Sequence, residues 1–294
     1  MATPLKIFQL RPPKAPNLLI APVDYTQTYQ DQMNNALRLY FNQIDNFGYS
    51  LTNNQNGGGG SLLVFPNGAF HQDGTTTLSV AIPNGTSTAA ISVASTTGFP
   101  SSGWILIDSE IIQYTSKTAT TFGGTITRSV LGTSGAGHAV NANVTEVQGT
   151  GSPTTIGIVL FNNTDLSNSI YTSADFSKIY FSYPGVYNFQ FSAQLLNFTT
   201  SEDNVTIWYR LNGTDATASA GLVQVNSKHG TAPGAVIASW NYFISVNAGD
   251  YISMAWATDT GNTVLASYPA GTSPTHPLSP GIIATVQFVS ALSA

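Results

Sequence analysis

Cysteine is absent from this chain of 294 residues, and charged residues make up only 8% of it. Without cysteine there is no disulfide framework and no thiolate nucleophile, so packing must hold the fold together. The 9 basic residues occur singly, which leaves no basic patch for nucleic acid or anionic lipid. No apolar run approaches the roughly 20 residues of a membrane-spanning helix, and the residues before Lys14 lack the apolar core of a secretory signal. We therefore expect synthesis in the cytoplasm, with no nucleic-acid partner and no membrane insertion.

Threonine, serine, asparagine, glutamine and glycine take the place of the missing charge, and 11% of the residues are aromatic. Threonine and aromatic side chains suit pleated sheets, whereas asparagine and glycine suit turns. A protein of long helices would be rich in Glu, Lys and Ala, and a disordered chain would have few aromatics. The composition thus predicts a mainly β fold.

An extended N-terminal arm is predicted over residues 1–23, because prolines are spread through this segment and prevent a helix. Large apolar side chains lie between the prolines, and such an arm cannot bury them on itself. It needs a groove on a neighbouring protein or on another copy of the chain; the alternative is a disordered tail. We assign anchoring to the apolar residues of the arm, which are Leu5, Ile7, Phe8, Leu10, Leu18, Leu19 and Ile20.

A single stem helix is predicted from Asp24, a suitable N-cap, to Phe47, with Gly48 ending it. Apolar residues recur there at steps of three and four, which is the period of a helical stripe. A helix of this length is marginal alone in water, so the stripe must pack on its own domain or on two further copies of itself. We favour a three-helix bundle, with the packing residues Tyr29, Met33, Leu37, Tyr40, Ile44 and Phe47.

Four segments follow from these patterns. The arm and stem occupy 1–56, and a joint with four consecutive glycines, followed by linking strands, occupies 57–87. Short strands flanking a tight turn at 108–110 indicate a small β module over 88–148. From residue 149 to residue 294, strands with alternating apolar residues and regular turn signals indicate an antiparallel sandwich or jelly roll.

The last segment resembles the jelly-roll family of tumour necrosis factor and the globular head of complement. The resemblance rests on a Pro-Gly-x-Tyr-x-Phe-like strand at 183–189 and on a strand at 208–213 that ends in Asn-Gly. It rests further on a Gly-Asp turn at 244–252 and on the final strand at 281–289, which lacks the family's leading Phe. The resemblance implies a homotrimer with a binding or scaffolding role, without a cofactor.

The middle segment is similar to a small β module of phage virion proteins, through the runs at 91–100, 103–115 and 127–133. The order of arm, helix, module and head looks like short fibres and capsid-bound appendages of phages. This resemblance implies a tail fibre of the virion that contacts other tail or capsid proteins and, through its head, host surface polysaccharide. A capsid decoration protein is the alternative, and a polysaccharide-degrading enzyme is a third.

Catalytic motifs are weak. The triplet Asp259-Thr260-Gly261 matches aspartic proteases, but that mechanism needs two such carboxylates, and a turn explains one. Asp108 and Glu110 are close enough in sequence to suggest a hydrolytic pair, although a solvated turn is the favoured interpretation. The histidines, which are His71, His138, His229 and His276, show no metal-ligand spacing. We predict no enzymatic activity, no metal site and no catalytic residue, and we leave the receptor-binding residues unassigned.

Overall fold

The computed structural model describes residues 14, 16–18, 23, 24, 26–52, 65–85 and 89–292, with the side chains of 47–52 left out. Most of the predicted anchoring residues lie outside the described residues, namely Leu5, Ile7, Phe8, Leu10, Leu19 and Ile20, as does the side chain of Phe47. Leu18 is described, and half of its side chain is exposed. The chain divides into two units, Met1–Phe65 and Pro66–Ala294.

The first unit contains a helix, α1, over Gln27–Thr52. The predicted N-cap at Asp24 is wrong, because Thr26 Oγ1 accepts a hydrogen bond from Tyr29 N at 3.3 Å and caps the helix instead. The predicted end at Gly48 is also wrong, since the helix continues to Thr52. No helix among the described residues is both long enough and apolar enough to cross a membrane.

The second unit is built from short and long strands, with half of the described fold in β structure. Its first strands are β1 Asn67–Gln72, β2 Thr75–Thr77, β3 Ile91–Ser92, β4 Gly103–Ile107, β5 Glu110–Tyr114, β6 Ser116–Lys117, β7 Thr121–Gly123 and β8 Asn143–Gly149. The others are β9 Gly157–Ile158, β10 Asn163–Asn168, β11 Ile170–Thr172, β12 Ile179–Phe181, β13 Gly185–Asn197, β14 Asp203–Leu211, β15 Thr214–Asp215, β16 Gly221–Val225, β17 Gly234–Val246, β18 Tyr251–Thr258, β19 Val264–Ala266, β20 Gly271–Thr272, β21 Thr275–His276 and β22 Ile282–Ser290.

Two large antiparallel sheets dominate this unit. The first sheet runs β10-β1-β22-β13-β19-β8-β4-β5, with β17 also paired to β13 and β2 to β8. The second runs β11-β12-β18-β14-β15, with β16 paired to β14 and β9 to β18. Small sheets β3-β7-β6 and β20-β21 complete the unit. The prediction of a mainly β, antiparallel fold is confirmed.

The main core lies between the two large sheets. Strand β13 alternates between buried and partly exposed residues, so Tyr187, Phe189 and Phe191 point inwards. Trp256 of β18 and Val286 of β22 reach the same core. The period-2 pattern visible in the sequence is therefore the pattern that fills the sandwich.

The middle segment is inserted into the sandwich. Strand β1 lies beside β22 and β10, so the chain enters the first sheet, forms the middle segment and then returns to pair with its starting strand. Strand β8 pairs with β2 and β4 and also with β19, and the predicted boundary at 148 falls inside β8. A buried cluster joins the inserted strands to the sandwich through Leu106, Val147 and Leu196.

Candidate functional site

A row of three tyrosines crosses the outer face of the second sheet, and we call it the tyrosine ladder: Tyr171, Tyr180 and Tyr251. Strand register places Tyr171 opposite Tyr180 and Tyr180 opposite Tyr251. Tyr171 and Tyr180 are stacked with their ring centroids 5.4 Å apart, and Tyr180 and Tyr251 are tilted at 5.3 Å. Tyr171 is 48% exposed. The ladder is thus an aromatic surface about two strand spacings long.

Cationic side chains border the ladder. Lys178 Nζ lies 5.0 Å from the Tyr251 ring centroid, within the range of a cation–π interaction. On the adjacent strand β14, Arg210 lies over the Trp208 ring, with its Cζ 6.0 Å from the ring centroid. Both Trp208 Nε1 and Arg210 Nε donate to Asp215 Oδ1 at 2.6 Å. These hydrogen bonds, with that from Arg210 the larger cause, hold the pKa of the exposed Asp215 carboxyl below its usual value.

The Asn212-Gly213 turn fixes the end of the ladder. Both residues have positive φ, 51° and 84°, which Asn and Gly adopt at little cost. Asn212 accepts a hydrogen bond from Tyr251 N at 3.0 Å and donates one to Asp250 Oδ1 at 2.8 Å. The turn predicted from the Asn-Gly pair therefore serves to hold Tyr251 in place.

This arrangement is suited to flat, hydroxyl-rich ligands. Tyrosine rings offer an apolar face together with a hydroxyl, and they lose little conformational freedom on binding. On the neighbouring strand β14, Trp208 and Arg210 add an indole ring and a guanidinium group, and Asp215 of β15 accepts a hydrogen bond from each of them. An aromatic surface flanked by such groups can stack against sugar rings and hydrogen-bond to their hydroxyls.

The sequence did not indicate this site, because its three tyrosines come from three strands separated by as many as 80 positions. Only strand register brings them together. Another tyrosine of the second unit, Tyr268, is partly buried and packs against the cluster of Val147 and Leu196. Burial raises the pKa of its hydroxyl.

The suggested catalytic residues occupy structural positions. Asp259-Thr260-Gly261 forms the turn between β18 and β19, and Gly261 has a φ of 79°. Asp203, which is buried, accepts hydrogen bonds from Thr260 and from Thr263, whose Oγ1 lies 2.6 Å from Asp203 Oδ2. The carboxylate that organises this turn is therefore Asp203.

The prediction that Asp108 and Glu110 form a solvated tip is wrong for Glu110, which is fully buried. Glu110 receives two hydrogen bonds from Arg128, from Nε at 2.8 Å and from Nη2 at 2.5 Å. His138 is buried too, with Nδ1 2.7 Å from Asp108 Oδ2 and Nε2 2.8 Å from Glu110 Oε2. We call these four residues the buried ion network.

Two effects in this network act in opposite directions on the pKa of Glu110. Burial would raise the pKa of Glu110, but hydrogen bonds from Arg128, His138 and Ala136 N–H together hold that pKa below its usual value. His138 can donate to both carboxylates at once only when both ring nitrogens carry a proton. The network therefore stabilises the ionised form of Glu110 inside the inserted segment.

The other histidines lie apart from one another. His71 Nδ1 is 2.9 Å from Asp165 and its Nε2 is 3.1 Å from Asp73. His229 pairs with Ala232 in a tight turn, and His276 lies in β21. Within the described parts of the chain, no three His, Asp or Glu side chains are grouped so that they could hold a metal ion.

The fold and the tyrosine ladder define a β-sandwich protein with an exposed aromatic surface. No model of a known protein family matches this chain, and no characterised protein is detectably similar to it in sequence.

Proposed function

We propose that this chain is a structural protein of a tailed-bacteriophage particle, assembled in the host cytoplasm as a trimeric, fibre-like appendage. Its N-terminal arm anchors it to tail or capsid proteins, and its sandwich attaches to host surface polysaccharide. The single observation that carries the attachment role is the tyrosine ladder, with its ring spacings of 5.4 and 5.3 Å. The ladder favours attachment over capsid decoration, which needs no exposed aromatic surface.

We infer that the sandwich is a jelly roll of the tumour necrosis factor type. The strand order supports this, because β1-β22-β13-β17 lie in one sheet and β12-β18-β14-β16 in the other. Along the chain, β12, β13, β14, β16, β17, β18 and β22 then alternate between sheets as successive jelly-roll strands do, with one pair staying in the second sheet. A jelly roll of this type implies three copies around an axis.

The stem supports the same trimer. Tyr29, Met33, Leu37 and Tyr40 of α1 are only half-buried, and Ile44 is 37% exposed. These residues share one face of the helix, which matches the stripe expected of helices that pack on copies of themselves.

Trimerisation predicts a sedimentation mass of about three times 31.0 kDa for the full chain at micromolar concentration. Analytical ultracentrifugation measures this mass directly. A mass of one chain across this concentration range would contradict both the stem bundle and the jelly-roll trimer.

Replacing Tyr180 by alanine is expected to weaken binding to bacterial surface polysaccharide by about 2 kcal/mol, or roughly thirtyfold in Kd, as for a central aromatic contact. Tyr180 lies between Tyr171 and Tyr251 and contacts both rings, so its loss divides the aromatic surface. A glycan array with the full chain identifies the polysaccharide, and calorimetry with that polysaccharide gives the Kd.

Two further variants test whether the loss of affinity in Tyr180→Ala comes from the loss of stacking on the tyrosine ladder. Tyr180→Phe keeps the ring and should retain most of the affinity if stacking dominates. Phe243→Ala removes an aromatic that is 64% exposed on the first sheet, and it should leave binding unchanged. Cross-strand aromatic pairs also stabilise sheets, so thermal unfolding of each variant is measured alongside. Equal losses for Tyr180→Ala and Phe243→Ala, or no binding by the parent chain, would reject the ladder as the attachment surface.

A further inference from the structure

A pocket of about 100 Å³ lies where the inserted segment meets the sandwich. Trp104 of β4 and Trp256 of β18 line it, together with Ile158 and Leu160. Gly157 allows the chain to approach Trp256 closely, because a Cβ there would lie 2.6 Å from the indole Nε1. The pocket is therefore apolar and aromatic over much of its wall, and it is separate from the tyrosine ladder.

Two larger polar side chains, Gln148 and Glu146, line the same pocket, and they differ in how they are hydrogen-bonded. The Gln148 amide is engaged with the backbone of Leu160, accepting at 2.8 Å and donating at 2.9 Å. Glu146 is fully buried, and its Oε2 accepts a hydrogen bond from Asn162 Nδ2 at 2.6 Å. Its Oε1 is buried without a hydrogen-bond partner among the described residues.

We propose that this pocket binds a small organic cation of the alkylammonium class, held by the carboxylate of Glu146 and by the faces of Trp104 and Trp256. Indole rings attract cations through their negative faces, and a buried carboxylate adds a charge attraction that low dielectric strengthens. That attraction acts over several ångströms, so the cation need not displace the neighbours of Glu146.

A neutral ligand would not offset the free-energy cost of burying the ionised Glu146 carboxylate. An ionised carboxyl buried without a full set of partners costs free energy, and a cation removes that cost whereas an alcohol does not. An inorganic metal ion would gain nothing from indole walls and would require more oxygen ligands than Glu146 supplies. An apolar body carrying positive charge matches both features.

The charge state of Glu146 depends on its surroundings. Burial raises its pKa to about 7, and the negative charge of Asp73 acts in the same direction. The hydrogen bond from Asn162 and the nearby polar groups of Gln72 and Gly74 lower the pKa. Tyr114 is the other titratable group that interacts with Glu146, and its own pKa is raised mainly by burial. Binding of a cation should accordingly strengthen as the pH rises through about 7.

Choline is a suitable probe, because its quaternary ammonium keeps its charge at every pH and any pH dependence then reports the protein. The neutral isostere 3,3-dimethyl-1-butanol is the matched control ligand. In the full chain labelled with 5-fluorotryptophan, 4 tryptophans give separate fluorine signals. We expect choline to shift the signals of Trp104 and Trp256 and to leave those of Trp208 and Trp240 in place.

Glu146→Gln keeps the shape of the side chain and removes its charge. At pH 8 we expect this variant to bind choline about tenfold more weakly and to lose the pH dependence, as the loss of a buried charge attraction requires. Glu202→Gln, at an exposed carboxyl, is the control and should bind as the parent chain does. Choline binding that is unaffected by Glu146→Gln, or equal binding of the neutral isostere, would overturn the proposal.

A parallel titration with phosphatidylcholine vesicles distinguishes the two sources of such a group. Free choline would enter the pocket by itself, whereas a phosphatidylcholine headgroup in the pocket would also bind the protein to the vesicle. Binding in either arm supports the pocket, and binding in neither arm overturns it.

Discussion

Replacing Arg128 by alanine is expected to lower the free energy of unfolding by about 3–5 kcal/mol, the effect of removing one partner of a buried ion pair. Glu110 is fully buried, and the Arg128 side chain is 5% exposed. Arg128 also donates to the carbonyls of Pro83 and Ala136, so it links the segment between β2 and β3 to the segment between β7 and β8. Its removal breaks these links and leaves the buried Glu110 carboxylate without the guanidinium group.

The measurement is the urea midpoint of the full chain, followed by tryptophan fluorescence. Arg210→Ala is the matched control, because Arg210 pairs with Asp215 at 2.6 Å with side-chain exposures of 23% and 59%. Exposed pairs of this kind contribute little to stability. Similar losses in the two variants would contradict the importance of burial in the ion network.

Protonation of Glu110 is also expected to lower the stability of the protein at acid pH. Its folded-state pKa lies below the ordinary value of 4.5, so the unfolded chain binds the proton more tightly. The stability that Glu110 contributes is therefore present above about pH 4.5 and is lost as the pH falls through the lowered pKa. In Arg128→Ala this acid-dependent loss should shrink.

Replacing Glu146 by glutamine is expected to stabilise the protein at pH 8 by up to about 3 kcal/mol. The folded-state pKa of Glu146 is about 7, against an ordinary value of 4.5, so the folded protein binds the proton more tightly than the unfolded chain. Stability must then fall as the pH rises from about 4.5 to about 7. Glutamine has no charge to bury and removes this slope.

Urea midpoints of the parent chain and of Glu146→Gln at pH 5 and pH 8 test this prediction. The parent should lose stability between the two values, while the variant should stay nearly constant. Glu202→Gln, at an exposed carboxyl that accepts a hydrogen bond from Gln224 at 2.8 Å, should follow the parent. If Glu146→Gln keeps the slope of the parent, then burial of this carboxyl is not its source.

The long strands were predictable because their signal is local. In β13, β14 and β18, apolar residues alternate and a turn follows, which is the sequence pattern of a half-buried strand. Strand β1 has no such signal: its sequence Asn-Gly-Ala-Phe-His-Gln becomes a strand only because β10 and β22 pair with it.

The sites were less predictable, because their residues are brought together by tertiary structure. Asp108 and Glu110 are two positions apart in sequence, yet Asp108 is 59% exposed while Glu110 is buried by Arg128 and His138. The same holds for Glu146, whose partner Asn162 lies 16 positions away. The types of residues and their spacing in the sequence do not reveal which carboxylates are buried. Burial depends on how the inserted segment packs on the sandwich.

The place of β1 also bears on how the chain folds. Gln72 pairs with Ile282, and Pro66 accepts a hydrogen bond from Phe288 N, so the first sandwich strand depends on the last one. Contacts between positions so far apart in sequence make loop closure slow. During synthesis, β1 must therefore wait with an unsatisfied edge until β22 has left the ribosome, and the inserted segment, whose own pairings are mostly local, can form in the meantime.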